Sequence, residues 1–187
     1  MAGLQRVFID TSELYPFTLM DLLLNLSEDL LFTWVWSDEL LDEWERVIVS
    51  GGGRTKESAI SVTDAVRGHF GRYRLDPERY RGRVVEGLSP DPADRIHAAA
   101  CIHGAVDVLL TRNKKHFWAV AEAGVDVASA DEYLCALLNR RPSAVINSFG
   151  RLVDSKRNPP LTSQDFADRL EKAGAQQFAT LLRHRLQ

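Results

Sequence analysis

Short apolar runs alternate with segments of helical periodicity through the first two thirds of the chain. Each run is too short for a helix, and most end at a polar residue that begins the next helical segment. Strands that alternate with helices in this way favour an α/β fold with a parallel sheet covered by helices on both faces. The predicted strands are residues 7–9, 31–36, 107–111 and 125–127, with Val84 and Val85 as a further short candidate.

The sequence also marks where helices start and stop. Ser37 suits an N-cap, because Asp38 and Glu39 follow in the first turn, where the helix dipole favours anions. An alanine-rich helix is predicted from Asp91 to Gly104, with proline near its start and glycine just past its end. Other predicted helices are residues 56–70, 115–123 and 131–138, and the chain after residue 142 is predicted to form only helices, broken at 158–160 and near Gly174.

The composition is that of an ordinary folded protein of 187 residues, with 45% hydrophobic and 26% charged residues. It excludes a collagen, a disordered tail and a disulfide miniprotein, and no apolar run reaches the length that spans a bilayer. The N-terminal segment has no signal-peptide pattern, so we expect a cytoplasmic protein. Cys101 and Cys135 lie in apolar segments without a CxxC motif, which favours free buried thiols over a catalytic thiol or a disulfide.

Charge is distributed unevenly along the chain, whose formal net charge is -3. Residues 140–187 contain nine basic and four acidic residues, so this segment has a net charge of +5 and the remainder one of -8. A basic segment is compatible with a nucleic-acid ligand but does not require one. Together with the change to helices only, this pattern predicts an α/β domain at residues 1–139 and a C-terminal helical extension at residues 140–187.

Carboxylates follow the predicted strands where parallel sheets bind their ligands, beyond the carboxyl ends of the strands. Asp10 comes directly after the first strand, Glu43 lies one turn into the helix after the second, and Asp94 lies near the start of the helix before the third. Carboxylates brought together repel one another unless a cation lies among them. Oxygen ligands of this kind suit Mg2+ or Mn2+, and such an ion can activate water and hold a phosphodiester.

Each of these residues also has a simpler interpretation. Asp10 would cap the next helix, and Glu43 would be a solvated surface acid. Asp91 and Asp94 would form an ordinary helix start, and Asn113 would be a turn residue. Each residue alone is weak evidence, so the metal-site hypothesis depends on their order and spacing together.

Three segments resemble the PIN-domain ribonucleases, and among these the VapC-like toxins of toxin–antitoxin pairs. The segments are VFIDTSELYP at residues 7–16, WSDELLDEWERV at 36–47 and SPDPADRIHAAACIHGAVDVLLTRNKKHF at 89–117. The likeness spans residues 6–130. It implies a three-layer α/β/α sandwich on a parallel sheet, an acidic pocket that binds Mg2+, with Mn2+ as the alternative ion, and endonucleolytic cleavage of RNA.

The resemblance assigns roles to individual positions. Asp10, Glu43 and Asp94 match the metal-binding acids, and Asn113 matches the fourth catalytic position of the family. Secondary candidates for the site are Ser12, Asp91 and Thr111. Basic residues expected to contact RNA phosphates are Arg112, Lys114, Lys115, Arg72 and Arg74, with Tyr73 and Tyr80 as base-stacking candidates.

Two positions depart from the family pattern. Many members have an acid where this chain has Asn113, and relatives with asparagine there often have Asp-Phe where this chain has His116-Phe117. Three acids remain instead of four, which puts two-metal chemistry in question and predicts loose metal binding and weak activity. His97, one turn after Asp94, is interpreted as a partly buried histidine with a polar partner rather than as a site residue.

Other functional classes fit less well. A haloacid-dehalogenase-type phosphatase needs a second aspartate where this chain has Ser12, and a Rossmann domain needs a glycine fingerprint that is missing. The main alternative is a PIN-fold module that binds RNA or a protein without cutting. As a toxin, the protein would pair with a VapB-like antitoxin that pushes an arginine into the acidic pocket, and the architecture leaves a homodimer open.

Overall fold

The computed structural model describes residues 3–52 and 55–186. They form two compact units, which are described separately. The first comprises the described residues up to Tyr15 and Thr33–Ala128, and the second comprises Pro16–Phe32 and the described residues from Ser129 onward. The domain boundary between residues 139 and 140 stays a prediction, because compact packing does not show which part of a chain folds alone.

A four-stranded parallel sheet forms the centre of the first unit. Its strands are β1 (Arg6–Ile9), β2 (Thr33–Val35), β3 (Val108–Leu110) and β4 (Asp126–Ala128). The strand order is β2–β1–β3–β4, and Phe8 lies opposite Val35 on one side and Leu109 on the other. The central strands are buried on both faces, which explains why they are continuous apolar runs without alternation. The predicted α/β fold on a parallel sheet is confirmed.

Five α-helices of the first unit flank the sheet within the described residues. They are α1 (Thr11–Leu14), α3 (Asp38–Ser50), α4 (Lys56–His69), α5 (Asp94–His103) and α6 (Trp118–Glu122). Short 3-10 turns lie at Gly71–Tyr73, Pro77–Arg79, Arg81–Arg83, Glu86–Leu88 and Lys114–His116. Ser37 caps α3 as predicted, since its Oγ accepts a hydrogen bond from the backbone N–H of Leu40 at 3.2 Å.

Three local predictions for this unit are wrong. Val84 and Val85 are exposed between two 3-10 turns and pair with no strand in the described part of the chain. Asp91 does not cap α5, because its Oδ1 accepts from the backbone N–H of Ala93 at 2.9 Å and closes the turn before the helix. The helix predicted from residue 115 begins at Trp118, because the preceding backbone bonds have the tighter 3-10 spacing.

The regular elements of the second unit, within its described residues, are all helices, and an isolated antiparallel bridge joins Arg157 and Pro160. Its helices are α2 (Phe17–Glu28), α7 (Ala130–Arg140), α8 (Pro142–Ser155), α9 (Ser163–Lys172) and α10 (Gln176–Leu186). Capping boxes at Ser129 and Thr162 fix the starts of α7 and α9. Asn25 on α2 donates to the Ser148 hydroxyl on α8 at 2.7 Å. The predicted helical extension is confirmed, including its breaks at 158–160 and near Gly174.

Candidate active site

The strand order reverses beside β1, because the chain moves outward from β1 to β2 and then returns to the other side of β1 as β3. Parallel sheets bind ligands at such a reversal, beyond the carboxyl ends of the strands. Asp10 directly follows β1, and Thr111 directly follows β3. The Thr111 hydroxyl donates to Asp10 Oδ2 at 2.8 Å, so the side chains of these two candidates meet at this edge.

Asp10 is held in place by hydrogen bonds to one of its two carboxylate oxygens. The Ser12 hydroxyl donates to Asp10 Oδ2 at 2.5 Å, in addition to the bond from Thr111. Asp10 lies at the N-cap position of α1, but its side chain accepts no hydrogen bond from a backbone N–H of that helix, so side-chain capping does not explain this residue. Because both bonds go to Oδ2 and Asp10 is only 5% exposed, the carboxylate is held in one orientation.

Glu43 on α3 uses both of its oxygens in hydrogen bonds. Oε1 accepts from the Thr11 hydroxyl at 2.5 Å, and Oε2 lies 2.7 Å from His97 Nε2. Burial by itself would raise the pKa of Glu43, but the hydrogen bonds from His97 and Thr11 outweigh it and hold the pKa below its usual value. Glu43 is therefore a charged and oriented candidate site residue rather than a solvated surface acid.

His97 lies on α5 and is only 2% exposed. Burial would lower the pKa of His97, yet the hydrogen bond to Glu43 and the charges of Glu43, Asp10 and Asp94 raise it above its usual value. Its Nδ1 is buried without a hydrogen-bond partner in the described part of the chain. The prediction of a polar partner for His97 is confirmed, but the ring is almost completely buried rather than partly buried, and only one of its nitrogens is hydrogen-bonded. The partner, Glu43, is a candidate site residue.

Asp94, at the first position of α5, lies among three other ionisable side chains. Its Oδ2 lies 2.7 Å from His116 Nδ1. Burial raises the pKa of Asp94, the His116 hydrogen bond opposes this, and the charges of Asp10 and Asp91 raise it further. One ligand atom from each of Asp91, Asp94 and His116 lies within 4.8 Å of the other two. Negative charge is therefore concentrated around Asp94.

The turn after β3 brings basic residues to the same edge of the sheet. Arg112 is fixed there, because its Nε donates to the buried carboxylate of Glu13 at 3.1 Å and its backbone N–H donates to Ser12 Oγ at 3.2 Å. Lys114 and Lys115 are exposed on the following 3-10 turn. The Asn113 side chain is exposed as well, and its backbone N–H donates to Thr111 Oγ1 at 3.0 Å. The catalytic role expected of Asn113 stays a prediction.

The arginine-rich segment at residues 72–83 is tied to the first turn of α3. Arg74 makes a two-point ion pair with Asp38, at 2.7 and 2.5 Å, and Arg81 bonds Glu39 at 2.6 Å. Arg72 is exposed, with its guanidinium 4.6 Å from the centre of the Tyr73 ring. RNA contact by Arg72 and Arg74 stays a prediction. The expectation of base stacking on Tyr80 is wrong, because the ring is fully buried and its hydroxyl donates to Glu39.

Sequence reasoning missed two polar partners of the candidate acids. The sequence pattern does not mark Thr11 as a site residue, although Thr11 directly follows Asp10 and bonds Glu43. The sequence marks His116 only as a departure from the family pattern, yet His116 contacts Asp94. Both residues lie next to candidate positions in the sequence, and this adjacency was the available signal.

The donor groups at this edge fit a divalent cation. Asp10, Asp91 and Asp94 offer carboxylate oxygens, and His116 offers an imidazole nitrogen, which are groups that bind such ions in proteins. The pKa of Asp94, raised by burial and further by the charges of Asp10 and Asp91, gives a second reason, because a bound cation would stabilise the charged form of this carboxylate.

Two family models match the chain. The model of the PIN domain matches residues 6–115, and the model of the VapC50 C-terminal domain matches residues 130–184. No curated protein and no solved structure gives a match. The PIN-domain match covers more than half of the chain and includes Asp10, Glu43, Asp94 and Thr111. The chain therefore belongs to the PIN-domain family, and with its C-terminal match it is a VapC-like member of that family.

Proposed function

We propose that this protein is a divalent-metal-dependent endoribonuclease and the toxin of a VapBC-type toxin–antitoxin pair. PIN domains are generally nucleases, and toxins of the VapC family act on RNA and pair with VapB antitoxins. The observation that supports the proposal most strongly is the group of acids at the strand-order reversal of a PIN-domain sheet, where Asp10 directly follows β1 and the ligand atoms of Asp91, Asp94 and His116 lie within 4.8 Å of one another.

The residues divide into those that would hold the ion and those that would orient the reacting groups. Asp10 and Asp94 would hold the ion, and Asp91 and His116 lie beside Asp94. A divalent ion supplies activation of water for attack on a phosphodiester and neutralisation of the charge that develops there. Glu43, kept ionised by Thr11 and His97, would complete the site or orient the attacking water.

Exposed residues near the site favour RNA with accessible bases as the substrate. Lys114 and Lys115 would contact backbone phosphates. Trp118, two residues after His116, is 48% exposed, whereas Trp34, Trp36 and Trp44 are buried. An unpaired base can stack on an exposed indole, whereas a base inside a duplex cannot reach it.

The same acids would also receive the antitoxin. A guanidinium group pairs with carboxylates through two parallel hydrogen bonds, so an arginine from a VapB-like partner would occupy the position of the ion and its substrate. This part of the proposal predicts that antitoxin and divalent ion compete for the site.

The decisive experiment is cleavage of a labelled RNA pool by purified protein in Mg2+ or Mn2+, with a chelator control. Asp10→Asn should lose the metal-dependent cuts, because it removes a charged ligand at the centre of the site. Asp154→Asn, which changes an exposed acid on α8, is the matched control and should cut like the unchanged protein. Equal cutting by the Asp10→Asn variant would assign the activity to a contaminant and overturn the proposal.

A non-cutting module that binds RNA or protein is the second candidate. It is favoured by His116, which stands where PIN domains with asparagine at the Asn113 position often have an aspartate, and which already bonds Asp94. Tight RNA binding without cleavage in either ion would support this second function over the first.

A further inference from the structure

His116 brings a nitrogen donor to a group that otherwise offers only oxygen. Its Nδ1 lies 2.7 Å from Asp94 Oδ2, and the ligand atoms of Asp91, Asp94 and His116 lie within 4.8 Å of one another. Ligands of one divalent ion sit about 2.0–2.2 Å from it, so a small side-chain adjustment would let all three bind a single ion. We call these three residues the His116 cluster.

The backbone fixes the positions of the His116 cluster. His116 ends a 3-10 turn, and Phe117 directly after it is fully buried, which anchors the turn. Asp91 and Asp94 are joined by a bond from the Asp94 backbone N–H to the Asp91 carbonyl oxygen at 3.2 Å. The His116 side chain is 25% exposed, so an ion can reach the cluster from solvent.

The chemistry of the donors determines which ion the cluster prefers. Mg2+ favours oxygen ligands in a regular octahedron and gives up its waters reluctantly. Imidazole nitrogen suits first-row transition metals better. We propose that His116 is a metal ligand and that the His116 cluster therefore binds Mn2+ and related transition-metal ions in preference to Mg2+.

This inference deepens the proposed function and rests on it for the location of the ion, but its test needs no RNA. Binding of Mn2+ and of Mg2+ to the full-length protein is measured by calorimetry. Pulsed electron paramagnetic resonance of the bound Mn2+ then detects 14N nuclei that are directly coordinated. The unchanged protein should bind Mn2+ more tightly than Mg2+ and show an imidazole 14N coupling.

His116→Asp tests whether His116 coordinates the ion, because this variant replaces the nitrogen ligand by an oxygen ligand. We expect the 14N coupling to disappear and the preference for Mn2+ over Mg2+ to fall about tenfold or more, as for other changes around metal ligands. His184→Asp, at an exposed histidine on α10, is the matched control and should keep both properties. Circular dichroism and thermal melting establish that each variant is folded.

His97 is the other histidine near the acids, and a second variant tests it. A 14N coupling that survives in His116→Asp and disappears in His97→Gln would assign the ligand to His97 and overturn the inference. Equal affinity for the two ions in the unchanged protein would overturn it as well.

The test of metal coordination by His116 and the test of RNA cleavage can give opposite outcomes, so the two proposals are distinguishable. Mn2+ bound with a His116 coupling but without RNA cleavage would leave the inference standing and remove the nuclease function. Cleavage in Mg2+ by a protein without a nitrogen coupling would do the reverse.

Discussion

His97 and His116 each bond one carboxylate of the site, but their surroundings differ. His97 is buried, and its bond to Glu43 keeps that acid ionised and oriented. His116 is partly exposed beside Asp94, so it can exchange a hydrogen bond for a ligand from solvent. Identical side chains therefore serve different purposes because of burial, and neither role can be inferred from the residue type alone.

Thr111 is the residue whose loss should most clearly disturb Asp10. Thr111→Val keeps the side-chain shape but removes the donor to Asp10 and the acceptor for the Asn113 N–H. Thr111 is fully buried, so we expect the free energy of unfolding to fall by about 1–3 kcal/mol, measured by urea denaturation. Thr180→Val on the exposed face of α10 is the control. An equal, small effect in both variants would show that the Thr111 bonds contribute little.

The two cysteines should be slow to react at neutral pH. Burial raises the pKa of Cys135 to about 11 and that of the fully buried Cys101 well above its usual value. Only the thiolate reacts, so the alkylation rate of Cys135 should rise about tenfold per pH unit below its pKa. Mass spectrometry after iodoacetamide treatment at pH 7, 8 and 9 measures this rate. Rapid modification of either thiol at pH 7 would contradict the expectation.

At the scale of elements, the first turn of α3 organises the arginine-rich segment. Asp38 and Glu39 were expected only to favour the helix start, but they also bind Arg74, Arg81 and the Tyr80 hydroxyl. Arg74 and Arg81 therefore act at least partly within the fold, and RNA contact by Arg74 stays a prediction.

The hydrogen bonds of Asp38 and Glu39 with the arginine-rich segment predict that the stability of the protein falls in acid. The Arg74 hydrogen bond lowers the pKa of Asp38, and for Glu39 the bonds from Tyr80 and Arg81 outweigh the effect of burial, so its pKa is lowered too. A lowered folded-state pKa gives stability that is present above the unfolded values of 3.8 and 4.5 and is lost as pH falls through the folded values. Glu39→Gln should therefore lose less stability than the unchanged protein between pH 5 and pH 3.

Urea unfolding at each pH measures the difference, and Glu78→Gln is the control. Glu78 is an exposed acid on the same segment, so its removal should leave the steepness of the acid loss unchanged. Parallel curves for Glu39→Gln and the unchanged protein would contradict the assignment of this effect to Glu39.

Sequence patterns predict most elements of the sheet and of the C-terminal helical extension, because buried parallel strands are apolar runs and many helices begin at a capping residue. The elements that the sequence does not predict depend on local hydrogen bonds. The 3-10 turn at residues 114–116 and the turn closed by Asp91 could not be predicted, because similar sequences also form α-helix. Asp10, Glu43 and Asp94 could be selected from their spacing, but the pairing of Glu43 with Thr11 and His97 arises only from the fold.

At the scale of the whole molecule, the division into two compact units does not follow the order of the chain. Residues 16–32 separate β1 from β2 in sequence, yet α2 belongs to the helical unit. Within that unit, Lys156 near the end of α8 pairs with Asp21, and Arg151 with Asp29. A chain shortened to residues 1–139 would therefore leave α2 without α8.

This arrangement tests the predicted boundary after residue 139. The apolar side chains of α2, including Leu19, Leu22 and Leu26, are buried in the intact protein. We expect residues 1–139 expressed alone to bind the dye 1-anilinonaphthalene-8-sulfonate strongly and to aggregate, because these side chains become exposed. A soluble, cooperatively melting fragment would instead support the boundary as a true domain limit.

The fluorescence of Trp118 can be used to measure RNA binding by the whole protein. Trp118 is the exposed member of the four tryptophans, so quenching by a stacked base should come from it. We expect single-stranded RNA to quench the fluorescence of the Asp10→Asn protein more than duplex RNA does. Trp118→Phe in the same background should abolish the quenching. Unchanged quenching in that variant would exclude Trp118 from the contact.

The position of α2 also affects how the protein is made. A ribosome completes α2 more than a hundred residues before it completes α8, the helix that bonds Asn25. At roughly 5–20 residues per second, the apolar side of α2 waits on the order of ten seconds for its partner. During that interval the nascent chain exposes the apolar side of α2, a surface of the kind that chaperones bind.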